Sequence, residues 1–197
     1  MQYAHEHGTI HRNLKPQVVL LTAEGQPKIS SFELARVLGQ ESAETEEGTL
    51  VGTPMYMSPE QLDGVVERIG PATDIYALGV ILYHLLAGQL PFGSQPSEPP
   101  GGVDILGTSI ATAAAALRQQ VRSEQAPPLR LSCANAPDLE AICLKCLDKE
   151  PAKRYASAGE LADDLQRFQR GVPVKARPVG LWERWRRWLR RRWSRPS

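Results

Sequence analysis

The distribution of apolar residues along the chain predicts a mainly helical protein. The longest apolar stretch runs from Tyr76 to Gly88 and is interrupted by a single polar side chain, His84. A stretch of this length is too short to span a bilayer. Because it is apolar on nearly all sides, it predicts a helix at the centre of a hydrophobic core, with His84 in the core or at its edge.

Shorter patterns predict the remaining elements. Helical spacing of apolar residues predicts helices over 108–121, 138–147 and 157–168, and Ser157 with Glu160 forms a capping-box pattern at the start of the last one. Two short apolar runs flank Ala23-Glu24-Gly25, which predicts a small β-hairpin. The first residues predict the last turns of a helix that ends at Gly8.

The net charge of +1 conceals a strong asymmetry between the body and the C-terminal tail. Residues 175–197 hold nine Lys or Arg and one acidic residue, whereas the preceding chain is acidic. All four tryptophans lie in this tail, and Trp182, Trp185 and Trp193 share one side of a helical projection, with arginines opposite. Such a pattern favours an anionic membrane surface as partner. Docking onto the acidic body is the alternative, and nucleic acid is the least favoured partner.

The three cysteines point to a reduced, cytoplasmic setting, because the chain carries no secretory signal. Cys143 and Cys146 form a C-x-x-C pair inside an apolar helical pattern. A zinc or redox site would need a second pair of ligands, so the pattern predicts buried thiols.

Five segments carry dense motifs in a fixed order. They are residues 11–20 (H-R-N-L-K-P-Q-V-V-L), 27–36 (P-K-I-S-S-F-E-L-A-R), 52–61 (G-T-P-M-Y-M-S-P-E-Q), 74–79 (D-I-Y-A-L-G) and 139–155, which ends in P-A-K-R-Y. Together they resemble the protein kinase family, from the H-R-D catalytic loop and D-F-G triplet to the final helices. Lys15 and Thr53 resemble the serine/threonine class.

The resemblance implies a fold and a domain organisation. The expected fold is mainly α, a kinase-like C-terminal lobe (1–170) with a small β-hairpin near the N-terminus. Residues 171–197 resemble the juxtamembrane segment of bacterial receptor-type kinases. The sequence holds no G-x-G-x-x-G loop and no V-A-I-K motif. We therefore expect the N-terminal lobe to be absent. The cofactors implied by the family are ATP and Mg²⁺, but no intact site for either is predicted.

The substitutions fall on the positions that carry the chemistry. Asn13 stands at the catalytic-base position, beside Lys15, and its neutral amide is not a useful base; loss of a positioned base costs about 10²–10⁴-fold in rate. Val18 and Ser31 stand where the family has metal ligands, and neither offers the anionic oxygen that Mg²⁺ prefers. Glu33 replaces the glycine of D-F-G, but it lies two residues from the ligand position. The sequence therefore predicts a pseudokinase-like chain.

The positions that hold the architecture are retained. The resemblance implies a buried ion pair between Glu60 and Arg154, and an Asp74 carboxylate that accepts backbone N–H groups of the catalytic loop. Arg12 and Thr53 are also kept. A chain that keeps these residues and loses the metal and base positions is expected to fold without catalysing.

The polar segment 36–52 corresponds to the activation segment of the family. Thr45 and Thr49 lie inside it, and the resemblance implies that phosphorylated threonines there can pair with Arg12. The four glutamates of the segment favour the simpler alternative, a solvated acidic loop, because they would repel an added phosphate.

Three functions remain open from the sequence. The first is an inactive regulatory or scaffold module, or a remnant, that binds a protein through its exposed cleft face. The second is a working ATP-dependent kinase whose N-terminal lobe lies upstream of a misassigned start. The third is a module that binds a membrane surface through the basic tail. The protein would then be cytoplasmic and associated with the membrane.

Overall fold

The computed structural model describes residues 1–38, 53–93, 108–129 and 136–177. Several sequence predictions fall outside these ranges. They concern Cys133, the threonines of the segment 36–52 and the tail residues Trp182, Trp185 and Trp193.

Helices dominate the described residues, and small sheets complete them. The helices are α1 (Gln2–Glu6), α2 (Pro59–Leu62), α3 (Pro71–Ala87), α4 (Thr108–Ser123), α5 (Ala136–Cys146) and α6 (Ala158–Gln169). The strands are β1 (Thr9–Ile10), β2 (Val19–Leu21), β3 (Pro27–Ile29) and β4 (Arg36–Val37). The predicted mainly α architecture with a short hairpin is confirmed, and β2 and β3 form that hairpin, with Val19 opposite Ile29.

The long apolar stretch forms α3, the central helix of the core. Pro71 occupies its first turn, and Gly88 ends it in the left-handed region at φ +70°. Ile75 and Tyr83 are buried, whereas His84 is half-buried and lies 3.2 Å from the Tyr56 hydroxyl. Within the described ranges, no helix is both long and apolar enough to cross a membrane.

Close packing of α3 against α5 explains the buried thiols. A side chain at Gly79 would collide with Cys146, so only glycine lets the two helices approach this closely. Cys143 and Cys146 are fully buried and free, as predicted. Burial raises the pKa of Cys143 to about 12 and raises that of Cys146 as well. Neither thiol is therefore available as a thiolate near neutral pH.

A second sheet joins distant parts of the chain. β1 pairs antiparallel with β4, with Thr9 opposite Val37 and Ile10 opposite Arg36. The backbone N–H of Leu38 also donates to the carbonyl of Gly8 at 2.8 Å. This sheet brings the segment after β1 next to the turn that precedes β4, which positions the candidate site.

The residues that follow α6 also pack against the core. Val174 is buried in the core with Ile142 and Leu161. At the start of α6, Ser157 Oγ accepts the Glu160 N–H at 3.1 Å, while the Glu160 carboxylate accepts the N–H of Ala156 and not that of Ser157.

Two buried tyrosines make a matched test of this core. The Tyr76 hydroxyl is buried without a hydrogen-bond partner, whereas the Tyr155 hydroxyl donates to Asp164 at 2.8 Å. We expect Tyr76→Phe to stabilise the protein by about 1 kcal/mol and Tyr155→Phe to destabilise it by about 1.5–3 kcal/mol in urea unfolding. Equal effects of the two substitutions would contradict the assignment of the unpaired hydroxyl.

Candidate functional site

Asp74, in the first turn of α3, holds the catalytic-loop segment against the core. Its carboxylate accepts the backbone N–H of His11 and of Arg12, each at 2.9 Å. The ring Nε2 of His5 lies 2.8 Å from the same carboxylate, so α1 is tied to this point too. A buried carboxylate needs such donors, and here they fix the loop in place.

The backbone at the site adopts a conformation that side chains rarely take. Arg12 and Ser31 have φ angles of +67° and +64°, and they are the non-glycine residues with positive φ in the described ranges. A strained backbone of this kind is maintained only where several surrounding contacts hold the residue in place. Here the carbonyl of Arg12 accepts a 2.7 Å hydrogen bond from Gln61, and His11 contacts both the Ser30 carbonyl and the Phe32 ring.

His11 has a defined orientation between these segments. Its Nε2 lies 2.9 Å from the Ser30 carbonyl, and its Nδ1 accepts the N–H of Asn13 at 3.3 Å. These two contacts require the tautomer that carries its proton on Nε2. The ring is fully buried, so it serves as a structural bridge.

Asn13, at the position where the resemblance implies the catalytic base, makes a structural contact. Its side-chain oxygen accepts the N–H of Thr53 at 3.3 Å, and Lys15 Nζ donates to the Thr53 hydroxyl at 2.8 Å. The structure thus brings Asn13, Lys15 and Thr53 together. The amide holds the chain after the activation segment, and it has no lone pair basic enough to accept a proton from a substrate hydroxyl.

The residues at the two positions where the resemblance implies metal ligands do not fit Mg²⁺. Val18 is buried against Leu14 and Ala77 and has no donor atom. Ser31 offers only a neutral hydroxyl, and the Glu33 side chain is exposed on the following turn. Among the residues that the structure describes, no three His, Cys, Asp or Glu side chains are grouped so that they could hold a metal ion.

Glu60 and Arg154 form a buried, bidentate ion pair. Arg154 donates to the two carboxylate oxygens at 2.7 and 2.9 Å. Its remaining N–H groups donate to the carbonyls of Ala72, Asp148 and Lys149, so all five donors of the guanidinium are used. Burial alone would raise the pKa of Glu60, but the hydrogen bonds and charge of Arg154 hold it below its usual value.

Comparison with known proteins agrees with this architecture. The sequence model of the protein kinase domain matches residues 1–165. The chain belongs to the protein kinase family. It is 33% identical over 180 residues to the serine/threonine-protein kinase PknB of Mycobacterium leprae, which covers 91% of this chain and 26% of that protein.

Other relatives give the same result. The chain is 34% identical over 181 residues to PknB of Mycolicibacterium smegmatis, covering 91% of the chain and 26% of that protein. It is 35% identical over 178 residues to a probable serine/threonine-protein kinase of Streptomyces coelicolor, covering 89% and 24%. The chain therefore spans about a quarter of the length of these curated relatives.

In this kinase fold, Arg12 is a partly buried cation whose pKa is influenced by a second arginine, Arg36. Desolvation, and then the nearby charge of Arg36, lower the pKa of Arg12. The Arg12 Nε atom is buried without a hydrogen-bond partner, and Arg36 donates to the Val66 carbonyl at 3.0 Å. Arg36 was not singled out, because a lone arginine at the end of a motif carries no local signal.

Sequence reasoning also missed three polar residues that fix the site. His5 contacts the Asp74 carboxylate, Gln61 donates to the carbonyl of Arg12 in the catalytic loop, and the Thr73 hydroxyl donates to Glu60 at 2.9 Å. Each contact depends on how distant segments pack. No spacing in the sequence could have indicated them.

The ion pair between Glu60 and Arg154 allows a test of its contribution to the stability of the protein. Arg154→Met leaves Glu60 buried without a partner, and we expect a loss of about 3–5 kcal/mol in the free energy of unfolding. Lys153→Met is the matched control, because Lys153 pairs with Glu150 on the exposed surface and its loss should have no measurable effect.

The pH dependence of the same variant follows from the depressed pKa of Glu60. In the parent protein, this carboxylate contributes stability above its unfolded pKa, and the contribution is lost as the pH falls through the folded pKa. A protonated Glu60 needs no cation. We therefore expect the loss caused by Arg154→Met to shrink as urea unfolding is repeated at progressively acidic pH; a constant loss would contradict the assignment.

Proposed function

We propose that this chain is a serine/threonine-kinase family member that does not transfer phosphate and that acts as a regulatory or scaffold module. The observation that carries the proposal is the engagement of Asn13 with Thr53, together with the buried, donor-free Val18. At these positions the side chains offer a neutral amide and an aliphatic group, in place of the base and the metal-binding oxygen that phosphoryl transfer needs.

The chemistry of phosphoryl transfer supports this proposal. The reaction depends on positioned metal ions, on groups that hold the phosphates and on a residue that accepts or orients the hydroxyl proton. Asn13, Val18 and Ser31 supply neither the base nor the anionic oxygens. The 197 residues also contain no Gly-rich phosphate loop and no V-A-I-K lysine, so these residues alone lack the elements that grip ATP.

Activity and metal binding test this proposal together. We expect no Mg-ATP-dependent phosphorylation of a generic protein substrate by the purified chain, and no change in melting temperature with Mn²⁺. The matched variant Asn13→Asp/Val18→Asn/Ser31→Asp restores anionic and carbonyl ligands on an unchanged backbone, so Mn²⁺ should raise its melting temperature. Phosphorylation by the parent chain that disappears in Lys15→Ala would overturn the proposal and favour a working kinase.

The scaffold role is supported by exposed apolar side chains on the two small sheets and the turn between them, which we call the cleft face. Its members are 39–71% exposed: Leu20, Leu21, Phe32, Val37 and Leu38. Large apolar side chains left exposed to water favour an interaction with a partner. We propose that a protein partner covers this face.

Self-association provides a direct measurement of the cleft face. In the purified protein, the available partner is a second copy of the chain, so we expect concentration-dependent association in sedimentation velocity. Leu21→Ser/Leu38→Ser should weaken it, because the two substitutions remove apolar area from the face. Leu85→Ser is the matched control, since Leu85 is 75% exposed but lies on α3. A monomer at all concentrations, or an equal effect of the control, would contradict this role.

A third part of the proposal concerns the basic tail. Residues 178–197 combine four tryptophans with seven arginines and one acidic residue. This composition is typical of segments that bind anionic membrane surfaces. We propose that the tail provides such contact.

A further inference from the structure

Lys149 carries a buried amine that takes no part in the candidate site. It lies between α5 and the short turn 151–153, and its Nζ is buried without a hydrogen-bond partner among the residues that the structure describes. The Nζ atom lies 3.9 Å from the centroid of the Phe92 ring. Phe92 is buried in the core cluster around α3. We call this contact between the Lys149 amine and the Phe92 ring the latch.

The charged groups that face Lys149 do not pair with it. Asp148, the preceding residue, accepts a backbone N–H of its own turn at 2.9 Å. Glu124, directly after α4, accepts a hydrogen bond from Gln120 at 3.1 Å. The third group is Arg154, which carries the same sign of charge as a protonated Lys149. A protonated amine at this position is therefore both desolvated and close to another cation.

These surroundings favour the neutral form of the amine. Desolvation, and then the charge of Arg154, lower the pKa of Lys149 to about 8. Asp148 and Glu124 act in the opposite direction but have smaller effects, and the face of the Phe92 ring attracts the cation as well. A lysine has a long, flexible stem, so its ammonium can reach water while the stem stays on the protein surface. The neutral amine has no such reason to leave the ring.

We propose that Lys149 is a pH-sensitive latch: the neutral amine keeps the turn after α5 closed over Phe92, and protonation releases the side chain towards water and loosens this turn. The residue after Phe92 is Gly93, whose N–H donates to the Gln120 side chain on α4 at 3.0 Å. The latch therefore acts where the chain that follows α3 meets the ends of α4 and α5.

The latch predicts that the stability of the protein rises with pH. The folded chain releases the Lys149 proton at about pH 8, whereas the unfolded chain holds it up to about pH 10.5. Between these two values the unfolded chain binds more protons, so a higher pH favours the folded state. The unfolding equilibrium constant should therefore fall severalfold per pH unit in this window, with about tenfold as the limit for one proton.

Urea unfolding of the full chain from pH 7 to 10 tests this prediction. Lys149→Met keeps the apolar stem and removes the titrating group. Its unfolding equilibrium constant should be about tenfold lower than that of the parent at pH 7, and the difference should shrink towards pH 10. Above about pH 9 the buried Cys143 and Cys146 act in the opposite sense, because the unfolded chain ionises them first. Both proteins share these thiols, so their effect cancels in the comparison.

Lys145→Met is the matched control. Lys145 on α5 also lies over an aromatic ring, with its Nζ 4.3 Å from the centroid of Tyr155, but this Nζ is not one of the buried, unpaired polar atoms. We expect this variant to keep the pH dependence of the parent. A difference between Lys149→Met and the parent that is the same at every pH, or an equal pH effect of the control, would overturn the latch.

An NMR titration of the parent chain tests the movement itself and does not depend on how well a variant folds. The ¹³Cε signal of Lys149 should titrate with a midpoint of about 8, and its nuclear Overhauser contact with the Phe92 ring should weaken as the pH falls below that midpoint. A midpoint near 10.5 would show an ordinary exposed amine and overturn the proposal. A midpoint near 8 with an unchanged contact to the ring would also overturn it, because the titrating side chain would then stay in place.

Discussion

The buried ion pair between Glu60 and Arg154 joins the parts of the chain that the rest of the structure depends on. Glu60 lies at the start of α2, directly after the activation segment, while Arg154 follows the short turn 151–153. The guanidinium also contacts carbonyls at the start of α3 and after α5. Because each donor has an acceptor, the pair avoids the desolvation cost that makes many buried charges unfavourable, and it fixes three segments at one point.

The contacts that hold the catalytic loop are made to its backbone groups. The conformation of the loop therefore does not depend on the side chains that would take part in catalysis. Asp74 binds the N–H groups of His11 and Arg12, and Gln61 binds the carbonyl of Arg12. None of these contacts requires a particular side chain at positions 13, 18 or 31. Asn13 can take over the acceptor role towards Thr53 because an amide oxygen, like a carboxylate oxygen, accepts a hydrogen bond. The loop can therefore keep its strained backbone after the base and the metal ligands are gone.

Features with a local signal could be predicted from the sequence. The core helix α3, the hairpin of β2 and β3 and the buried Cys143 and Cys146 all follow from apolar spacing and turn residues. The pairing of β1 with β4 could not be predicted, because two-residue strands show no periodicity and their partners are distant. The packing of residues 171–177 could not be predicted for a similar reason: a single buried Val174 shows no periodicity, and the hydrogen bonds from Lys175 and Ala176 to Asp164 depend on how the chain folds back onto α6.

A connected set of contacts explains why a kinase fold without phosphoryl transfer would keep its rigidity. At the start of α6, the N–H of Gly159 donates to the Gln2 side chain on α1 at 2.8 Å. His5 on the same short helix contacts Asp74, which holds the catalytic loop beside the cleft face. In the middle of α6, the Asp164 carboxylate accepts the backbone N–H groups of Lys175 and Ala176, which fixes the residues that follow this helix. These hydrogen bonds thus link α1, α3, α6 and the residues that follow α6. A catalyst needs rigidity to position reacting atoms, whereas a scaffold needs it to hold two bound surfaces at a fixed orientation. Under the proposed scaffold role, the retained contacts would serve the second requirement, and none of them needs a particular side chain at positions 13, 18 or 31.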